Sequence, residues 1–237
     1  MRRFPPRFDR AVLYRAVLWT GLAVSVALGA AIGLTREPSN ETLEFPPEVI
    51  IGWEKHSFDG STLYDLVEVA GRRAVHAVCE EGTASGLFYR ERVDLAETPI
   101  LEWSWRVGET LEGLDETRKE GDDYPLRIYL VEKQRLLSWR AQALNYVWAH
   151  EQPQGSDWDN PYSSSVRMVA VRSGPPQASG PWQTERRNVR QDFRELHDRD
   201  VTHLQAVAIM TDCDDTRQRL EGWYGTLRFL PPSRALP

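Results

Sequence analysis

The sequence has little of what most catalytic machinery is built from. It contains no GxGxxG, Walker A, HExxH, CxxC or GxSxG pattern, which leaves nucleotide cradles, helix-borne zinc sites, thiol redox pairs and nucleophile elbows without support. Its five histidines (His56, His76, His150, His197 and His203) are scattered, with no pair at helix-face spacing. A Ser-His-Asp triad needs no proximity in sequence, but nothing singles out its members. His76, inside an apolar alternating run, reads as a core or sheet-face residue.

Cysteine is nearly absent. Only Cys79 and Cys213 occur, and neither lies near a membrane-type segment where a lipid anchor would need one. A bridge between them is open to an exported protein and would contribute on the order of 4–5 kcal/mol by loop entropy. Sequence alone does not bring their Cα atoms together, and two unpaired thiols are the first expectation. Helical periodicity is sparse too. One short helix is expected over Gln191 to Arg199, and a charged loop or helical turn over Glu109 to Glu120. No internal repeat or long low-complexity tract appears.

Net positive charge is missing from the body of the chain. Residues 1–36 hold six Arg and one Asp, a net of +5, so the rest carries −11 of the total −6. An acidic body argues against a nucleic-acid surface, which needs clustered Lys and Arg, and against adsorption to anionic lipid.

One long hydrophobic run is present. Residues 16–34 (AVLWTGLAVSVALGAAIGL) carry no charge, and as a helix would span roughly 29 Å, about one bilayer core. Five Arg precede it, so the positive-inside rule places the N-terminus in the cytoplasm and the body outside. Small residues at Ala27–Gly29 and Ala31–Gly33 would suit signal cleavage, but the length favours a retained anchor. The expected organisation is an anchor over 1–36, a Pro-containing linker over 37–50 and a β-sandwich domain over 51–232.

Period-two alternation dominates the body. Leu101, Trp103, Trp105 and Val107 share one strand face, and Trp223, Gly225, Leu227 and Phe229 another. Leu63–Val69 and Ala74–Glu80 flank a turn at Ala70–Arg73 and read as a hairpin. Runs at 126–131, 143–148, 166–171 and 206–210 add strands. Many short strands with few helices indicate a mainly β fold, an antiparallel β-sandwich or jelly roll, with one N-terminal transmembrane helix.

Three polar clusters interrupt the pattern. GDDYPLR (Gly121 to Arg127) sets Asp122 and Asp123 before a strand that carries Arg127: a capped turn with an Arg-carboxylate pair, or a site. TDCDDT (Thr211 to Thr216) follows an apolar strand. Its Asp212, Asp214 and Asp215 offer the hard oxygen ligands Ca²⁺ takes, but lack the Gly and distal Glu of an EF-hand, and a solvated turn is the plainer reading. In RRNVRQDF (Arg186 to Phe193), Arg187, Asn188 and Asp192 could bond a polyol or carboxylate, or Asn188 could cap the following helix. Trp158, Tyr162 and Trp182 sit in loop-like stretches, as sugar-stacking rings or as anchors of their own loops.

The ordered set FDGSTLYDLV, ASGL, LEWSWRV, GDDYPLRIYLV, LNYVWA, WDNP, VRSG, RNVRQDF, AIMTDCDDT and WYGTLRF resembles the bacterial domain family DUF3047 over roughly residues 50–230. The resemblance implies an envelope or secreted protein with a jelly-roll fold similar to galactose-binding-like modules, and it supplies no catalytic residue. It emphasises Trp105, Arg106, Asp122, Asp123, Arg127, Asn145, Trp148, Asn160, Asn188, Asp192, Asp212 and Asp214. At Cys213 the chain departs from the pattern, where a small polar residue such as Thr is expected, which weakens the case for a family-wide disulfide.

The candidate ligand-binding set is therefore Asp122, Asp123, Arg127, Asn145, Trp148, Trp158, Asn160, Asn188 and Asp192, with Asp212, Asp214 and Asp215 as possible Ca²⁺ ligands. The leading expectation is a non-catalytic module in the periplasm, tethered to the bacterial inner membrane by residues 16–34 and holding a saccharide or other polar envelope ligand. One alternative is an accessory subunit of a membrane complex, packed through Gly29-x-x-x-Gly33. The other is a hydrolase pairing Asp122 or Asp123 with Asp212 or Asp214, which needs those loops to converge.

Overall fold

The computed structural model describes residues 41–132, 141–176 and 180–232. The hydrophobic run 16–34, with its Gly29 and Gly33, lies outside the described residues. Among those described, no helix is long and apolar enough to cross a membrane.

Alternating side chains become strands because alternate residues can then be buried on one sheet face. The chain opens with β1 (Leu43–Phe45), a one-turn helix α1 (Pro47–Ile50) and β2 (Glu54–Asp59). There follow β3 (Leu63–Val69), β4 (Arg72–Cys79), β5 (Ala84–Tyr89), the two-residue β6 (Val93–Asp94) and β7 (Ile100–Val107). After a long loop come β8 (Tyr124–Glu132), β9 (Gln142–Ala149), β10 (Asp157–Asn160), β11 (Ser163–Ser173) and β12 (Gln183–Asn188). The chain finishes with α2 (Val189–His197), β13 (His203–Leu204), β14 (Ala206–Asp212) and β15 (Leu220–Leu230). The expected hairpin is β3–β4, turning through Ala70 and Gly71, both at positive φ (50° and 70°) as a tight hairpin turn requires.

All the strands but β6 and β13, which pair with each other, form two facing sheets. The first has the order β12-β7-β15-β4-β3, with β1 added beside β15; the second runs β10-β11-β9-β8-β14-β5-β2. The chain crosses between the sheets several times, with β8, β9, β10 and β11 consecutive members of the second. Between them lies an aromatic core. The Trp103 ring of the first sheet stacks on Tyr146 of the second at 5.4 Å, Trp105 meets Trp103 edge-on at 5.2 Å, and Trp148 tilts against Trp105 at 6.0 Å.

Four sequence expectations need correction. The sandwich is mixed rather than antiparallel: β10 returns the chain, so β11 enters beside β9 in the same direction. Residues 43–50, expected within the linker 37–50, belong instead to the folded domain, because Phe45 of β1 and Ile50 of α1 are buried in the main core. On β15 the alternation does not run through: Trp223 faces outward and stacks on His76, while Tyr224 joins Leu227 and Phe229 in the core. A register shift between Tyr224 and Leu227 supplies the offset, at Gly225, where a Cβ would lie 2.2 Å from the Ser104 hydroxyl. Finally, Cys79 and Cys213 are paired, with Cα atoms 5.9 Å apart. The bridge joins the end of β4 in the first sheet to the segment leaving β14 in the second.

Candidate functional site

The site forms where β8 begins and β14 ends. These strands are antiparallel neighbours with Asp212 opposite Tyr124, so the GDDYPLR and TDCDDT loops meet at one end of the second sheet. On β8, Leu126, Ile128 and Leu130 fill the core, which turns Arg127 and Tyr129 to the outer face. The turn from β10 to β11 contributes Asn160, Tyr162 and Ser163 as a side wall, and Phe58 and Met210 complete the lining. The result is an open cleft of about 320 Å³.

Arg127 is the charge at its floor. Buried at 3% exposure, its Nη2 donates to the Asp122 carbonyl at 2.9 Å and lies 3.0 Å from Asp212 Oδ2 and 3.6 Å from Asp122 Oδ1. Its guanidinium covers the Tyr124 ring at 4.5 Å. Burial acts to lower the Arg127 pKa, but the charges of Asp212 and Asp122 outweigh it and hold the group firmly protonated.

The carboxylates around it are forced the other way. Burial raises Asp122 and, further, Asp212, against the pull of Arg127. Asp214 is pushed up to about 6 by burial, reinforced by Asp123 and Asp215. Asp215 rises through burial as well, and accepts from the Tyr162 hydroxyl, whose own pKa is raised by burial and then by this bond. Asp123 is fully buried, and its carboxylate accepts from the backbone N–H groups of Asp215 (3.2 Å) and Thr216 (2.6 Å), which straps the two loops together. Asp122 Oδ1, Asp212 Oδ1, Arg127 Nε and the Tyr124 hydroxyl are buried without a hydrogen-bond partner.

The candidate residues separate into those the cleft gathers and those it does not. Asp122, Arg127, Asn160, Asp212, Asp214 and Asp215 line it, and Asp123 supports it from beneath. Asn160 also builds the wall: its Nδ2 donates to Asp122 Oδ2 at 2.7 Å, and its Oδ1 accepts from the N–H groups of Tyr162 and Ser163. Asn145 lies on the same outer face with its Nδ2 toward the Met168 sulfur, but is fully buried and outside the lining.

The remaining candidates serve packing. Trp148 points into the core and donates to the Gly174 carbonyl. Trp158 packs against Tyr124 and Met168 and donates to the Glu116 carbonyl. The third cluster stands apart at the end of β12, because Asp192 is engaged by Arg187 at 2.8 and 2.9 Å and by the Tyr146 hydroxyl. Asn188 caps α2, its Oδ1 accepting from Gln191 N–H at 3.1 Å. Asn188→Ala is expected to lower stability by about 1 kcal/mol and to leave the cleft untouched, which urea unfolding and ligand titration would read separately.

Phe58, on the cleft lining, escaped the sequence reading, as did two further contributions. Tyr129 shares the outer face with Arg127 two residues away, a spacing that period-two logic could have exposed. Glu116, in the charged loop, is buried and accepts from the N–H groups of His150, Glu151 and Gln152. That anchors the loop beneath which His150, kept neutral by burial with a pKa near 4, bridges Leu111 N–H and the Asp123 carbonyl. No local sequence signal marks it.

No curated protein matches the sequence. Among solved structures, the fold overlaps the glycoside hydrolase domain of Endo-D from Streptococcus pneumoniae R6 (TM-score 0.40, 9% identity, 77% of this chain and 22% of that one). It also overlaps an exo-beta-agarase (0.33, 8%, 75% and 23%) and the xyloglucanase domain of NopAA from Sinorhizobium fredii (0.32, 6%, 73% and 94%). The chain thus spans under a quarter of the first two, and likeness at this level bears on neither activity nor substrate. A family model does match, that of the protein family of unknown function DUF3047, over residues 51–228, and the chain belongs to that family.

Proposed function

We propose that the protein is a non-catalytic binding module of the cell envelope, carried across the inner membrane by its N-terminal hydrophobic segment, and that its cleft takes a saccharide or similar polyhydroxylated ligand. The observation that carries this reading is an open cleft lined by Asp122, Arg127, Asn160 and Asp212 and rimmed by exposed aromatics. Tyr162 and Phe58, 55% and 57% exposed, offer apolar faces to the carbon face of a sugar.

The test is a glycan array followed by calorimetric titration of the full chain in mild detergent. Tyr162→Ala is expected to weaken binding roughly tenfold, corresponding to about 1.4 kcal/mol. Tyr162→Phe, which keeps the ring, should lose far less. If no envelope polysaccharide binds, the reading falls.

A second reading, a carboxylate-dependent hydrolase, gains from one observation: the Asp122/Asp123 and Asp212/Asp214 loops do converge, and Asp214 has a pKa near 6, suited to proton transfer. Release of reducing ends from a bound polysaccharide, abolished in Asp214→Asn, would favour it over simple binding.

A further inference from the structure

β15 is longer than the strands that flank it on one side. β4 pairs with Leu220–Tyr224 and β1 with Leu227–Phe229, so Gly225 and Thr226 face a gap between them. On the other side the register with β7 shifts between Tyr224 and Leu227, and the same two residues are skipped again. They lie inside the sheet with no residue paired opposite on either side, and backbone groups left out of a ladder need other partners. At this gap, on the outer face of the first sheet, opens a cavity of about 420 Å³ lined by Gly225, Thr226 and Ser104. It lies on the opposite face of the sandwich from the acidic cleft, and its volume is that of a small-molecule site.

The lining is rich in donors. Arg72, Arg73 and Arg228 stand in its wall, and Ser104, Thr184 and Thr226 add hydroxyls. Its two carboxylates are already engaged: Glu48 accepts from Arg73 at 3.0 Å, and Glu102 lies 3.2 Å from Arg186 and 3.7 Å from Arg228. Arg228 also reaches Glu44, at 2.8 Å. Among the described residues, Arg72 alone of the three lining arginines meets no carboxylate; its guanidinium lies over the Trp182 ring at 5.8 Å. The cavity thus sets one cation without a counter-charge beside an indole that also lines it. A guanidinium offers a planar fork of donors that matches a carboxylate, and an indole offers an apolar surface to a sugar's carbon face.

We propose that this cavity is a second binding site, for a sugar acid: a uronate residue whose carboxylate pairs with Arg72, whose carbon face lies against Trp182, and whose hydroxyls meet Ser104, Thr184 and Thr226. Two other occupants fit the lining less well. A neutral sugar would leave Arg72 without a counter-charge, and a bare inorganic anion would make no use of Trp182 or of the space. The site does not rest on the saccharide reading of the cleft. There Asp122, Asp212, Asp214 and Asp215 outnumber Arg127, so an anionic sugar is repelled from the cleft and drawn to this cavity.

The probe is tetragalacturonate, titrated calorimetrically into the full-length protein in mild detergent beside its carboxyl-reduced, neutral counterpart. The expected result is one saturable site per chain, at least tenfold tighter for the uronate, with affinity falling as salt rises. Arg72→Ala should weaken binding at least tenfold, and Arg72→Lys should restore only part of it, because an ammonium lacks the planar fork. Arg72 is exposed at the start of β4, so neither variant disturbs the core. Arg194→Ala, on α2, removes the same charge elsewhere and should bind as the parent does. No saturable binding of tetragalacturonate, equal affinity for the neutral counterpart, or unchanged affinity in Arg72→Ala would overturn the assignment, as would full competition by equimolar inorganic phosphate. Neutral glycans taken by the cleft should bind Arg72→Ala and the parent alike, so the two readings fail separately.

Discussion

Removing the Cys79–Cys213 bridge as Cys79→Ala/Cys213→Ala is expected to lower the unfolding free energy by about 5 kcal/mol, the loop-entropy value for so long a closure. The two residues are 134 apart in sequence, so the bond closes most of the folded chain into one loop. It also crosses between the sheets, at a corner where both sulfurs are buried with Leu220 and Leu111. Equilibrium urea unfolding of the oxidised parent and the double variant measures the difference. If the bridge acts on the unfolded chain, the midpoint falls and the slope with denaturant rises, because the uncrosslinked chain expands further. A loss of only about 1 kcal/mol with an unchanged slope would refute this account. The same variant should loosen the acidic corner, since Cys213 separates Asp212 from Asp214.

The bridge was also where sequence reasoning fell short, and the reason is physical. Pairing depends on Cα separation, which strand order determines and local sequence does not. The strands themselves were legible, because burial of one sheet face imposes a period of two that Leu101, Trp103, Trp105 and Val107 display openly. The pattern misled at β15, where a bulge at Gly225 changes which side faces inward. The parallel contact of β11 with β9 was hidden for a related reason: strand direction depends on the return through β10, not on the residues of β11.

The cleft was half legible. GDDYPLR and TDCDDT each announced polar residues beside a strand, and their convergence follows from the pairing of β8 with β14. RNVRQDF looked equally promising, yet its Asn188 and Asp192 are consumed locally by a helix cap and an Arg pair. Composition cannot separate a polar group satisfied by its own segment from one buried without a full set of hydrogen bonds. Hydrogen-bond accounting can, which is why Asp122 and Asp212 now stand apart from Asp192.

Arg127→Met is expected to lower stability by about 3–5 kcal/mol near pH 8, the range for removing one partner of a buried ion pair. The methionine can occupy the space, so the loss comes chiefly from Asp122 and Asp212, which remain buried without their counter-charge. The pH dependence distinguishes this from a packing defect. In the parent, Arg127 pulls both carboxyl pKa values down against burial. Without it both rise further above their unfolded values, so the folded variant takes up protons that the unfolded chain does not. Its stability then increases as pH falls toward the unfolded carboxylate range near roughly 4, and the deficit against the parent narrows. Urea unfolding at pH 8 and pH 5 would show that narrowing, whereas a void left by poor packing would give the same deficit at both. Arg127→Met/Asp212→Asn should recover part of the loss at pH 8, because it removes one of the stranded charges. A double variant no more stable than Arg127→Met would mean that Asp212 is not the group Arg127 neutralises.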